Sequence, residues 1–221
     1  MIDLPGAPAR IAHLPRDERG YPVPWFVAWF IDGAEAGRGA RGAAPDFRIL
    51  ATGAREKAVR QALCWVCGEQ MGAHQVFAIG PMCSINRTTM EPPAHRACAE
   101  YAAQACPFLT RPRQRRDTKG LPDDCHVDGD MIARNPGCVC LWESRYRLWR
   151  PRPGEWLFEL GDPVRVDWWA YGRRASRAEV EASIASGYPA LLEPAVAEGP
   201  EALAELTRLR ALAERYLPAA A

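Results

Sequence analysis

Trp25-Phe26-Val27-Ala28-Trp29-Phe30-Ile31 is an unbroken apolar and aromatic run that predicts a buried strand. Pro5, Pro8, Pro15, Pro22 and Pro24 punctuate the residues before it, which are expected to run extended. Residues 32–45, with four Gly and two Arg, read as a flexible loop, and 46–51 as the returning strand of a long-looped hairpin. Thr52 is expected to cap a helix over 54–63, where Ala54, Ala58, Val59, Ala62 and Leu63 make one apolar stripe. A hairpin follows, whose return strand is 75–79. A loop then runs from Gly80-Pro81 to Pro92-Pro93, and a second helix covers 94–105.

The pattern then changes to sheet. Trp142, Ser144, Tyr146 and Leu148 alternate with Glu143, Arg145, Arg147 and Trp149, as in a half-buried strand. Runs 156–160 and 164–169 flank Gly161-Asp162-Pro163, which reads as the turn of a short hairpin. Ser176-Arg177-Ala178-Glu179 is a capping box opening a helix to about 186, stopped by Gly187. A last helix starts near Pro200 and ends at Leu217-Pro218. Strands in hairpin-like pairs with few, grouped helices predict an α+β fold. Its expected parts are N-terminal strands plus a cysteine-rich module over 1–110, an Arg-rich linker over 111–124, and antiparallel strands followed by two or three helices over 125–221.

Composition narrows the classes. The chain has 221 residues, 28 Lys+Arg against 27 Asp+Glu and 48% hydrophobic residues, the balance of a globular protein of one or two domains. No apolar stretch reaches the length of a membrane span. The start, Met1-Ile2-Asp3-Leu4-Pro5-Gly6, lacks the basic flank and apolar core of a signal peptide, so a cytoplasmic location is expected. A net charge of +1 confines any nucleic-acid contact to a local patch. Eight Cys in such a chain read as metal ligands and buried thiols more readily than as disulfides.

Cys64-x-x-Cys67 is followed 27 residues later by His95-x-x-Cys98. Each pair has the spacing at which a knuckle or a first helical turn presents two ligands to one zinc ion, and Cys₃His is a closed tetrahedral set. Cys67-Gly68 supplies the tight turn of a knuckle, and the second pair opens the next helix. Over about 63–106 this order resembles treble-clef zinc fingers, which implies a structural zinc held by Cys64, Cys67, His95 and Cys98. The alternatives are ordinary buried thiols with a surface His, or a redox pair. The redox reading is disfavoured because the Cys pair follows a helix instead of preceding one.

A sharper alternative rests on His74, Asn86 and His95, whose order resembles HNH nucleases. That resemblance implies His74 as general base, Asn86 orienting it and His95 on a divalent ion. His95 would then serve two metals, and Ala73 stands where the family carries an acidic or His neighbour. Cys125, His126, Cys138 and Cys140 offer a second metal site, although Val139, Leu141 and Trp142 favour buried strand thiols at the last two Cys. Arg111, Arg113, Arg115, Arg116 and Lys119 put five positive charges in nine residues, a candidate phosphate-tracking run or a solvated linker. The Trp168-Trp169 indoles face opposite ways, so one of them is a candidate for an exposed binding face, the alternative being core. Phosphate-loop, nucleophile-elbow and His-Glu-x-x-His motifs are absent. The reading favoured is a non-catalytic zinc-stabilised protein that binds a protein or a nucleic acid. The chain as a whole is similar to uncharacterised phage or prophage proteins.

Overall fold

The computed structural model describes residues 4–111, 115, 119, 135, 137–151 and 155–219. Among them the architecture is α+β, with both sheets antiparallel. A short helix α1 (Ala9–Ala12) precedes a three-stranded sheet of β1 (Val27–Ile31), β2 (Ala34–Ala36) and β3 (Ala44–Leu50), ordered β2-β1-β3. The stretch 32–45 is therefore not all loop. Asp32-Gly33, both at positive φ (49° and 82°), makes a two-residue turn that matches strand twist and brings β2 back along β1.

Helix α2 (Ala54–Gln61) is capped by Gly53 and not by Thr52. The Thr52 hydroxyl instead donates to Glu35 at 2.6 Å, tying β2 to the start of α2. After β4 (Val76–Ile79), Pro81 at the first helical position starts α3 (Pro81–Asn86) where a loop was expected, and β5 (Thr88–Thr89) follows. Helices α4 (Arg96–Ala105) and α5 (Pro107–Thr110) complete this half.

The second sheet is built on β6 (Val139–Trp149) and β7 (Leu157–Ala170) in the order β4-β6-β7-β5, with β8 (Arg173–Arg174) also on β7. The expected hairpin turn at Gly161-Asp162-Pro163 is a correction: β7 runs straight through it as a bulge. Glu143 pairs with Arg165, Ser144 with Pro163 and Tyr146 with Leu160, so β7 carries two extra residues against β6. Pro163 has no N–H to orphan there, and the Gly161 carbonyl accepts a 3.1 Å bond from the Trp142 indole. The real turn is Tyr171-Gly172, between β7 and β8, with φ of 55° and 74°.

Strand alternation sorts the side chains between two layers. Phe77, Ile79, Cys140, Trp142, Phe158, Leu160 and Trp168 face α6 (Arg177–Gly187), α7 (Pro189–Glu198), α8 (Pro200–Ala213) and α3. Val76, Val139, Leu141 and Trp169 face α4 and the cysteine-rich module. Strand β4 from the first half pairs with β6 from the second, so residues on either side of 111–124 share one sheet. Both Trp168 (5% exposed) and Trp169 (8%) are buried, one in each layer, so the core alternative holds and neither indole is an exposed binding face. The sheet is covered on both faces at that level, which leaves neither side of β7 to solvent. No helix of the described residues is long and apolar enough to cross a membrane.

The Ser176 capping box forms as its sequence specifies, with Glu179 N donating to the Ser hydroxyl and the Glu179 carboxylate accepting from Ser176 N at 2.8 Å. Ser176→Ala should cost about 1 kcal/mol. Urea unfolding checks this: the midpoint falls while the slope stays constant.

Candidate metal centre

Leu63 and Gln70 form an isolated antiparallel bridge that pinches the chain into a knuckle. Within it, Cys64 N donates to the Glu69 carbonyl (2.8 Å) and Gly68 N to the Cys64 carbonyl (2.9 Å). Gly68 has φ +77°, and a Cβ there would stand 2.7 Å from Cγ of Trp25. Glycine is thus required twice over, for conformation and for space. The Trp25 indole N–H donates to the same Cys64 carbonyl at 2.7 Å, so an N-terminal aromatic seals the knuckle from outside.

The second pair arrives on α4. Reciprocal bonds between Val76 and Ala94 (3.0 and 2.8 Å) lay the residue before His95 along β4, and Trp65 N donates to the Pro93 carbonyl (2.9 Å). His95 is the extended N-cap of α4, which turns its ring back over the knuckle, and Cys98 sits in the first helical turn. The ligand atoms of Cys64, Cys67, His95 and Cys98 all lie within 4.8 Å of one another, close enough to hold a metal ion. His95 Nδ1 is 3.4 Å from Cys67 Sγ and 3.9 Å from Cys98 Sγ. Its Nε2 is 3.2 Å from the Gln70 carbonyl. A proton on Nε2 satisfies that contact and leaves the Nδ1 lone pair aimed at the sulfurs, the outer-shell arrangement of a metal-binding imidazole.

Thiol acidity follows from this crowding. Hydrogen bonds from Cys67 and Cys98 push Cys64 down to about 2. The bond to Cys64 in turn pushes Cys67 up to about 11, and Cys98 is raised further by Cys64 and Cys67. The three sulfurs thus favour a thiolate at Cys64 and oppose one at Cys67 and Cys98; a dication held there would stabilise all three as thiolates.

Arg96, next to His95, anchors the helix to the sheet. Its Nε lies 2.9 Å from Glu143 on β6, and its Nη1 lies 2.7 Å from Asp167 on β7 and 3.3 Å from Glu100. Asp167 also takes Arg165 (2.9 Å) and Arg174 (2.6 Å), the latter delivered by the Tyr171-Gly172 turn. Burial opposes the charge on Glu143, but Arg96 and then His74 outweigh it and hold its pKa below the ordinary value.

The structure does not assemble His74, Asn86 and His95 into one site. His74 lies just before β4 and bonds Glu143 through Nδ1 at 2.9 Å. Asn86 ends α3, on the opposite layer, and its side chain accepts from Thr88 N at 3.1 Å. Thr88 belongs to β5, three strand positions from β4, on the order of 14 Å across the sheet. Cys138 and Cys140 are buried in the helical layer, where burial raises both thiols, Cys138 to about 11. Cys125 and His126 lie outside the described residues, as do Arg113 and Arg116. Arg111, Arg115 and Lys119 are exposed, and the Lys119 carbonyl accepts from Arg48 at 2.9 Å. The supporting groups that spacing does not reveal are the Gln70 carbonyl, Trp25 and the Arg96 network. Only the Gly after Cys67 carries a local signal.

Glu143 is ionised more readily in the folded chain than at its ordinary 4.5, so its contribution to stability is complete above that pH and is lost as pH falls through the depressed value. Melting temperature followed by circular dichroism from about pH 7 to 3 should therefore fall less steeply with acid in Glu143→Gln than in wild type, from a lower start. Parallel curves would assign Glu143 no linked role. No protein-family model, no curated protein and no solved structure matches this chain.

Proposed function

We propose that this chain is a non-catalytic binding protein, stabilised by zinc in a treble-clef-like module, whose partner is a protein or a nucleic acid. The convergence of three sulfurs and one imidazole nitrogen within 4.8 Å carries the reading. Thiolate and imidazole donors suit zinc, and four protein ligands fill a tetrahedral shell with no position left for substrate. The knuckle at 64–68, strand β4 and the helix-borne second pair follow treble-clef order. One departure is that β4 takes β6 as its main strand partner, with only a single bridge to Ala94, where a local hairpin was expected. In this reading the ion is a folding element: it joins the knuckle to α4, and α4 to the sheet.

The nuclease alternative loses its geometric support with Asn86 on the other layer. It makes a separate demand that is readily tested, plasmid nicking with magnesium or manganese, for which no cleavage is expected. Metal-dependent cleavage abolished by His74→Ala would replace the proposal.

Elemental analysis should find one zinc per chain. Cys64→Ser should lose it and melt about 10 °C lower, the shift expected for a few kcal/mol in a chain of this size. A folded, metal-free wild type of unchanged stability would refute the structural role.

A further inference from the structure

Residues 145–152, Arg-Tyr-Arg-Leu-Trp-Arg-Pro-Arg, hold four arginines, two aromatics and no acidic residue. Residues 145–151 form the distal end of β6 and the start of the turn toward β7. Here the two faces of the ribbon diverge. Tyr146 and Leu148 turn toward the helical core, where Tyr146 packs edge-on against Phe77 and Phe158 at 5.5 and 5.1 Å. Arg145, Arg147 and Trp149 project from the other face, beyond the reach of α4, and all three are exposed. Trp149 is 56% exposed, although the fold has buried layers on both sides of the same sheet.

These side chains are poorly occupied by the protein itself. Arg145 makes no ion pair or hydrogen bond among the described residues. Arg147 meets Glu159 at 2.6 Å, with side chains 79% and 47% exposed, a pairing that solvent screens heavily. Arg150 sits over Trp156, its guanidinium carbon 3.3 Å from the ring centre, and by alternation belongs to the Leu148–Phe158 side of the ribbon. Arg147, Leu148, Trp149 and Glu159 line an open cleft of about 480 Å³.

Resting on the binding-protein reading above, the geometry points to single-stranded nucleic acid as the partner, held on this face of the β6–β7 ribbon: a base stacks on Trp149 while Arg145 and Arg147 take the backbone phosphates. Same-face residues on a strand recur about every 6.8 Å, comparable to the spacing of phosphates along an extended single strand. Stacking is tolerant of base identity, so binding is expected with little sequence preference. Beyond Glu143 no described strand pairs β6 on the β4 side, so the choice of a nucleic acid over a peptide that adds a strand rests on the exposed Trp149 ring and the flanking arginines, which suit a ligand that stacks and carries phosphates.

Fluorescence anisotropy of labelled fifteen-residue oligo-dT and oligo-rU, with the full zinc-loaded chain, tests this. Binding should weaken steeply with added salt. The double substitution Arg145→Ala, Arg147→Ala should lower the salt slope by about 1.4, since each single-strand phosphate contact contributes about 0.7. Trp149→Ala should weaken binding about ten-fold, and Trp149→Phe should recover much of it. Zinc content and melting temperature of each variant must match wild type, which separates a lost interface from a lost fold; Val164→Ala, on the same ribbon, serves as the neutral control. Absence of oligonucleotide binding at about 50 mM salt, or displacement by polyglutamate as effective as by unlabelled oligonucleotide, would overturn the assignment. Neither result would alter the zinc stoichiometry on which the binding-protein reading stands.

Discussion

Pairing of β6 with β7, from Val139 opposite Trp169 to Trp149 opposite Leu157, creates a ribbon whose base needs cover on both faces. Apolar side chains project both ways there: Cys140, Trp142 and Trp168 to one side, Val139, Leu141 and Trp169 to the other. Two layers therefore have to converge on one pair of strands. The helical layer comes from the C-terminal third and α3, and the opposite layer from the first half of the chain. Because β4 extends the same sheet, the layers are held in register by backbone bonds as well as by burial. Farther out the requirement relaxes, and the ribbon keeps cover on one face only.

The two layers differ in kind. The helical layer rests on area: Trp142, Phe77, Phe158, Ile85 and Ile184 are fully buried, and packing of this sort is non-directional and tolerant of small shifts. The layer of α4 is small, built from Ala99, Ala103 and Ala105 with Cys98 and Tyr101, and offers little apolar area per residue. Directional contacts compensate. Arg96 reaches two strands at once, and the Cys64, Cys67, His95 and Cys98 side chains meet where the helix start lies against the knuckle. Local placement of α4 thus depends on charged and directional contacts where its partner layer depends on hydrophobic contact.

Legibility in the sequence followed the range of the interaction. The Cys64, Cys67, His95 and Cys98 cluster is readable because each pair is local, and the Ser176 capping box because it closes within four residues. Residues 32–45 read as loop by their count of glycines, whereas the placement of Asp32-Gly33 directly after β1 is what makes a hairpin turn. Gly161-Asp162-Pro163 misled in the other direction, since nothing local distinguishes a turn from a bulge and the decision is made by β6 across the ribbon. The same holds for Trp168-Trp169, where alternation places one indole on each face but cannot report that both faces are covered. The treble-clef resemblance concealed the separation of Asn86 from His95, because chain order says nothing about which layer a helix joins.

The Val76–Ala94 bridge has a consequence for the order in which the chain acquires its structure. The main partner of β4 begins at Val139, some sixty residues later in the chain, so during synthesis β4 stands for a long interval without the strand that completes it. An unpaired strand with buried-type residues such as Val76, Phe77 and Ile79 is a hazard for mispairing. Its bonds to Ala94 require only that the chain has reached that residue, and in the zinc reading an ion captured once His95 and Cys98 follow would hold the strand in place. Metal supply would then act on the yield of correctly paired chains before it acts on any finished molecule: a shortage would be felt as misassembly at β4, upstream of every surface the protein later presents.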